Sequence, residues 1–181
     1  MNKAAQKKLA VFFPGRNYSV DSPLFYYAIR VCEGKGYEIL KMDYKETAGN
    51  PEEVMSLVRE SALRTMKTVS LADYSEFLFI SKSIGTIIAG WVEEQLKLSV
   101  RHIFLTPLPG TLRLMKPGRC LVIAGDQDYV LKKEQLKAFC DENRIALWQA
   151  PEGGHSLNVK GHPEESIRIL GEVVRLYDEF A

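Results

Sequence analysis

Six short apolar runs, alternating with stretches of helical periodicity, constrain this chain more than any other feature of its sequence. The runs are Leu9–Phe13, Glu38–Met42, Phe77–Ile80, His102–Leu105, Cys120–Ala124 and Ala146–Trp148. Most are continuously apolar, the pattern of parallel strands covered on both faces. Lys41 interrupts the second run, which suits a strand near a sheet edge. Between the runs lie helix signals. Asp21 or Ser22 can cap a helix that opens with Pro23, carries Leu24, Ala28, Val31 and Cys32 on one face, and ends at Gly34 or Gly36. Asn50 and Pro51 open a second helix, where Glu52 and Glu53 complement the dipole. A third starts at Ile84, a fourth spans about Leu131 to Glu142, and a fifth runs from Pro163 to Phe180. This alternation predicts an α/β fold: a doubly wound, mainly parallel six-stranded sheet flanked by helices, as a single domain over residues 1–181. Ligands in such sheets sit beyond the carboxyl ends of the strands, so the loops leaving each strand are the ones to inspect.

Charge narrows the partners. Lys plus Arg number 24 and Asp plus Glu number 23, a net charge of +1, without the basic excess of a nucleic-acid binder. The three cysteines, Cys32, Cys120 and Cys140, form no CxxC and no zinc-spaced cluster. They read as core or half-buried thiols in a reducing compartment. The start, MNKAAQKK, is basic, but the apolar run after it is too short for a signal segment or a membrane span. A cytoplasmic protein with no membrane or nucleic-acid partner is expected; nothing in the sequence bears on its oligomeric state.

Three strand exits carry chemistry. The third run leads through Ser81, Lys82 and Ser83 directly into a helix, which puts a serine at the apex of a strand–turn–helix elbow. The residues two before and two after an elbow nucleophile must be small. Ser83 has Ser81 and Gly85 there; Ser81 would have Phe79 and Ser83. Ser83 is therefore the better nucleophile, and Ile84 at the helix start offers a free N–H beside it. Helix capping by Ser81 and Ser83 is the plainer alternative. Lys82 reads as a solvated elbow residue, with a role in binding an acidic substrate group as the sharper option. The fifth run exits into Gly125-Asp126-Gln127-Asp128. One of these carboxylates could orient a histidine, or the loop could be a solvated turn. The sixth exits into Pro151-Glu152-Gly153-Gly154-His155. Of the three histidines, His102 opens a strand at the opposite sheet end and His162 lies at a helix start. His155 alone is placed to meet Ser83.

Taken in order, strand–SxSxG–helix, strand–GxxD and strand–loop–GGH resemble the α/β-hydrolase superfamily, here a small, capless member. The resemblance covers nearly the whole chain from Leu9. It implies Ser83 as nucleophile, Asp128 as triad acid and His155 as base. Gly15 matches the family's HGxG-like loop, so the resemblance adds the Arg16 N–H to that of Ile84 as oxyanion-hole donors. Ser81 replaces the usual first glycine, and Pro14 stands where histidine is common. The two strands that usually open the family's sheet are missing. The family's cap insertion has no room between Thr106 and Arg119, so an open site is expected. No metal or organic cofactor is implied. The expected function is a serine hydrolase acting on an ester or thioester of a small acyl substrate. An acyltransferase with the same triad, a non-catalytic α/β ligand-binding module and a flavodoxin-like phosphate binder remain as alternatives.

Overall fold

The computed structural model describes residues 7–44 and 50–181. The part of the basic N-terminal segment before Lys7 lies outside them. Six strands pair in parallel throughout: β1 (Lys7–Phe13), β2 (Tyr37–Lys41), β3 (Tyr74–Lys82), β4 (Val100–Leu105), β5 (Cys120–Gly125) and β6 (Ala146–Ala150). Their order across the sheet is β2-β1-β3-β4-β5-β6. The strand that Lys41 interrupts is thus an edge. Among the described residues, five α-helices accompany the strands: α1 (Pro23–Gly34), α2 (Pro51–Met66), α3 (Ile84–Leu96), α4 (Lys133–Asn143) and α5 (Pro163–Phe180).

Strand parity sorts the core into two layers. Ala10, Phe12, Leu78, Ile80, Ile103 and Leu105 face α1 and α5, where they pack with Phe25, Ile29, Val173 and Tyr177. Leu9, Val11, Phe13, Phe77 and Phe79 face α2 and α3, against Ala62, Met66, Ile88 and Val92. Farther along that second face, Phe104, Val122 and Ala124 meet Leu136 and Cys140 of α4. Every strand between the edges is therefore apolar at successive positions, which explains the continuous runs. Each fully buried large side chain contributes about 1.5–3 kcal/mol.

The helix starts differ in detail from expectation. Asn50 caps α2 as read: its side chain accepts from the Glu52 and Glu53 amides, and Glu53 reaches back to the Asn50 amide in a capping box. At α1, Ser22 occupies the N-cap position but its side chain makes no capping bond. The Tyr18 hydroxyl accepts the Leu24 N–H instead, at 3.2 Å. The fourth helix begins two residues later than expected, at Lys133.

The segment after β4 is packed down onto the body of the fold. Its 3-10 turn, Pro109–Leu114, buries Thr111 and Leu114. Leu114 lies so close to α3 that a Cβ on Gly90 would come within 2.5 Å of its Cδ1. No cap rises from residues 106–119. All three cysteines are buried and free. Among the described residues, no helix is long and apolar enough to cross a membrane.

Candidate active site

The carboxyl ends of β3, β5 and β6 bring three side chains together. At the end of β3, Ser83 sits between strand and helix with φ 51° and ψ −121°. That is a left-handed-side conformation costing a non-glycine residue on the order of 1–3 kcal/mol, and it lifts the side chain out of the sheet. Two features hold the turn. The Ser83 amide donates to the Leu105 carbonyl at 3.0 Å, and the Ser83 carbonyl accepts from the Thr86 amide and hydroxyl. Thr86 in turn shares a 2.6 Å hydroxyl contact with buried Thr111. Gly85 is small because the end of β1 passes close by it. A Cβ there would lie 2.3 Å from the Phe13 carbonyl oxygen and 2.5 Å from that of Pro14. The close neighbour of this glycine is the end of β1, across the helix start. Ser81 is buried, with its hydroxyl 3.5 Å from the Ile103 carbonyl, and points into the opposite layer from Lys82.

The ends of β5 and β6 set the other two groups. Gly125 pairs with Ala150 at the last position of the ladder. Beyond it the two loops touch backbone to backbone: the Asp126 amide donates to the Ala150 carbonyl and the Gln127 amide to that of Gly153. A Cβ on Gly125 would fall 1.9 Å from the Gly153 oxygen, so only glycine admits this approach. The result places Asp128 Oδ2 2.8 Å from His155 Nδ1, and His155 Nε2 2.9 Å from Ser83 Oγ. Asp128 is buried, and its other oxygen accepts the Val130 amide at 2.8 Å. Asp126 points elsewhere, to Lys133 Nζ at 3.2 Å and Gln127. In the tautomer whose Nε2 accepts from the Ser83 hydroxyl, the Nδ1–H donates a hydrogen bond to Asp128.

The start of α3 and the turn after β1 flank the serine. The Ile84 amide is the first of α3 and has no intrahelical acceptor. Arg16 lies at the tip of a tight turn closed by the Gly15–Tyr18 bridge. Gly15 presses this turn against the elbow: a Cβ there would be 3.2 Å from the Lys82 oxygen and 3.3 Å from the Ser83 Cβ. Among the described residues, the Arg16 amide has no backbone acceptor.

Lys82 departs from the sequence reading. It is 2% exposed, neither solvated nor free to reach a substrate. Its ammonium donates to the Thr106 hydroxyl at 3.1 Å and the His155 carbonyl at 2.9 Å, and it lies 4.9 Å from the centre of the Tyr18 ring. Burial pulls its pKa down to about 8, with Asp128 opposing the shift. Strand parity held the signal: Lys82 continues the Leu78, Ile80 row that faces the α1–α5 layer. Tyr129 was also missed. It is 83% exposed, with its ring centre 6.0 Å from that of His155. A loop residue next to a candidate acid carries no periodic signal.

Other reactive groups lie apart from these three side chains. Burial pushes the Cys32 thiol up to about 12 and Cys140 to about 11, so neither is a thiolate at neutral pH. His102 is buried against Glu93 in β4, and His162 is the N-cap residue of α5. Among the described residues, no three His, Cys, Asp or Glu side chains converge as metal ligands. A groove lined by Trp148, His162, Glu165 and Ile169 runs along α5; Ser83, His155 and Asp128 take no part in it.

No family model matches the chain, and no curated protein matches it by sequence. Solved structures match its fold closely. Est1E from Butyrivibrio proteoclasticus aligns with a TM-score of 0.71 at 14% identity, covering 99% of this chain and 88% of its own. A Xanthomonas campestris protein described as an α/β serine hydrolase without a lid aligns at 0.70 with 16% identity, covering 96% and 82%. An α/β serine hydrolase homologue from Coxiella burnetii aligns at 0.67 with 16% identity, covering 96% and 87%. The chain has the α/β-hydrolase fold.

Proposed function

We propose that this chain is a serine hydrolase that cleaves an ester or thioester of a small substrate through an acyl-enzyme on Ser83. The observation that carries the reading is the unbroken relay from Ser83 Oγ through His155 to buried Asp128, at 2.9 and 2.8 Å. Its geometry fits the work. As Ser83 Oγ bonds to the acyl carbon, its proton passes to His155 Nε2 and the carbonyl electron pair moves onto oxygen. The ring becomes a cation held by Asp128, which also fixes the tautomer. The Ile84 and Arg16 amides face the new oxyanion, each donor supplying about 3 kcal/mol. Collapse expels the alcohol or thiol, which takes the Nε2 proton. Water then repeats the cycle, with His155 as base, and releases the carboxylic acid and free Ser83.

The access supports a small substrate. Ser83 is half-buried and residues 106–119 lie flat against α3, so no lid has to open. Exposed Tyr129 beside His155 offers one apolar wall for an acyl or leaving group. A fluorophosphonate probe tests the assignment, since it reacts only with an activated serine. The expected result is a single label on Ser83, mapped by mass spectrometry, and near-loss of labelling in His155→Ala. A label on Ser81 or Ser156, or none on folded protein, would reject the reading. A panel of esters and thioesters of graded chain length then defines the acyl group.

A further inference from the structure

A lysine at the end of a buried strand needs a reason to keep its charge there. Lys82 lies on the same strand row as Leu78 and Ile80 and is as thoroughly covered as they are. Its ammonium has three directions to satisfy. One proton goes to the Thr106 hydroxyl, at the end of β4, and one to the His155 main-chain carbonyl. The third direction is taken by the face of the Tyr18 ring. Those three partners belong to three separate loops. Tyr18 closes the turn that carries the Arg16 amide, Thr106 follows the strand beside the elbow, and His155 is the imidazole of the relay. Thr106 itself is held at φ 42°, a conformation that its fixed hydroxyl contact helps to over-determine. His155 follows two glycines, so its loop has little covalent stiffness of its own.

We infer that Lys82 is a positioning residue: its buried ammonium ties the His155 loop and the Tyr18 turn to the elbow, and so holds the imidazole and the Arg16 amide in register with Ser83. It acts through those groups and touches no reacting atom. The inference rests on the proposed hydrolase reading for its kinetic consequence, while the tether itself is a statement about His155. The charge is part of the device. The groups that face it are Asp128 and His155 from the acid and base loops and Tyr18 from the turn after β1. With a pKa of about 8, Lys82 is an ammonium at neutral pH and becomes an amine above that. The amine has lost a donor and its attraction for the Tyr18 ring.

Lys82→Met tests this, because methionine fills similar space and removing a buried charge does not by itself unfold a protein. The expected result is a folded variant whose kcat and fluorophosphonate labelling rate fall on the order of a hundredfold, the cost of a small misplacement, while KM changes little. Wild-type kcat should decline through pH 8, and Lys82→Met should lack that alkaline limb. Tyr18→Leu, which removes the ring face, should shift the limb to lower pH; Tyr18→Phe, which keeps it, should retain the limb. A Lys82→Met enzyme with wild-type kcat and an unchanged pH profile overturns the inference. The imidazole spectrum of 15N-histidine-labelled protein separates the two readings. If wild type takes no label, the hydrolase reading falls, and the His155 signals then decide the tether alone. Altered or broadened His155 resonances in Lys82→Met support it; unchanged ones overturn it.

Discussion

Two histidine–carboxylate pairs lie at opposite ends of this sheet and behave as opposites. His155 Nδ1 meets Asp128 at 2.8 Å, and His102 Nε2 meets Glu93 at 3.0 Å. Pairing and distance are nearly the same. The surroundings are not. The His155 side chain keeps 18% of its surface exposed and its second nitrogen meets the Ser83 hydroxyl. His102 is enclosed, stacked 4.7 Å from Phe104 and edge-on to Phe79, and among the described residues its Nδ1 has no partner. An unpartnered ring nitrogen in a dry core is tolerable as a bare acceptor and costly as an N–H. Burial accordingly lowers the His102 pKa, against the pull of Glu93, and keeps the ring neutral. Glu93 remains the anion, and Lys116 and Arg119 close its other oxygen. A histidine–carboxylate pair becomes a proton relay only where the far nitrogen has a reacting partner; elsewhere it is a strut.

The comparison can be broken at its strongest point first. Asp128→Asn should lower kcat by about 10⁴-fold, because the wrong imidazole tautomer then faces Ser83. Steady-state kinetics on any ester found to be turned over would read it, with thermal stability nearly unchanged. An active Asp128→Asn would show that the first pair is a strut too. Next, Glu93→Ala should leave activity in place at low temperature but cost about 1–3 kcal/mol in urea unfolding, since it leaves the buried His102 Nε2–H without its acceptor. Loss of activity without loss of stability would reverse the roles assigned to the two pairs.

Acid should weaken the His102–Glu93 strut. The folded His102 pKa is depressed below its unfolded value of 6.5, so the unfolded chain binds the extra proton. The stability it contributes is whole above pH 6.5 and drains away as pH falls below that toward the folded pKa. Glu93, also depressed, adds a second loss below its unfolded value of 4.5. Melting temperature should therefore drop from pH 7 to 5, and His102→Phe should flatten that part of the curve. The smallest effect is expected at Asp126. It pairs with exposed Lys133 and not with His155, so Asp126→Asn should leave kcat within about twofold, as exposed ion pairs contribute about 0–1 kcal/mol. A crippled Asp126→Asn would move the acid by two residues.

Much of this arrangement is local and was readable along the chain. Continuous apolar runs mark strands covered on both faces, and β1, β3, β4 and β5 carry them. Lys41 marked the edge, Asn50 and Pro51 marked a helix start, and the Ser81–Ser83–Gly85 spacing marked the elbow. These signals involve residues within one or two turns of each other, where sterics and periodicity act without help from the rest of the fold. What the chain could not settle alone were contacts between distant segments. The α1 cap passed from Ser22 to the Tyr18 hydroxyl because the turn after β1 folds back over the helix start. Gly85 meets the carbonyls of Phe13 and Pro14, 72 and 71 residues earlier. Whether Asp126 or Asp128 reaches His155 depends on the register of β5 against β6 and on the backbone contact of Gly125 with Gly153. Lys82 is the sharpest case. Next to a serine at the apex of a turn it looks like a surface residue, yet strand parity turns it inward, and only three loops meeting over it supply the partners that let a charge stay buried.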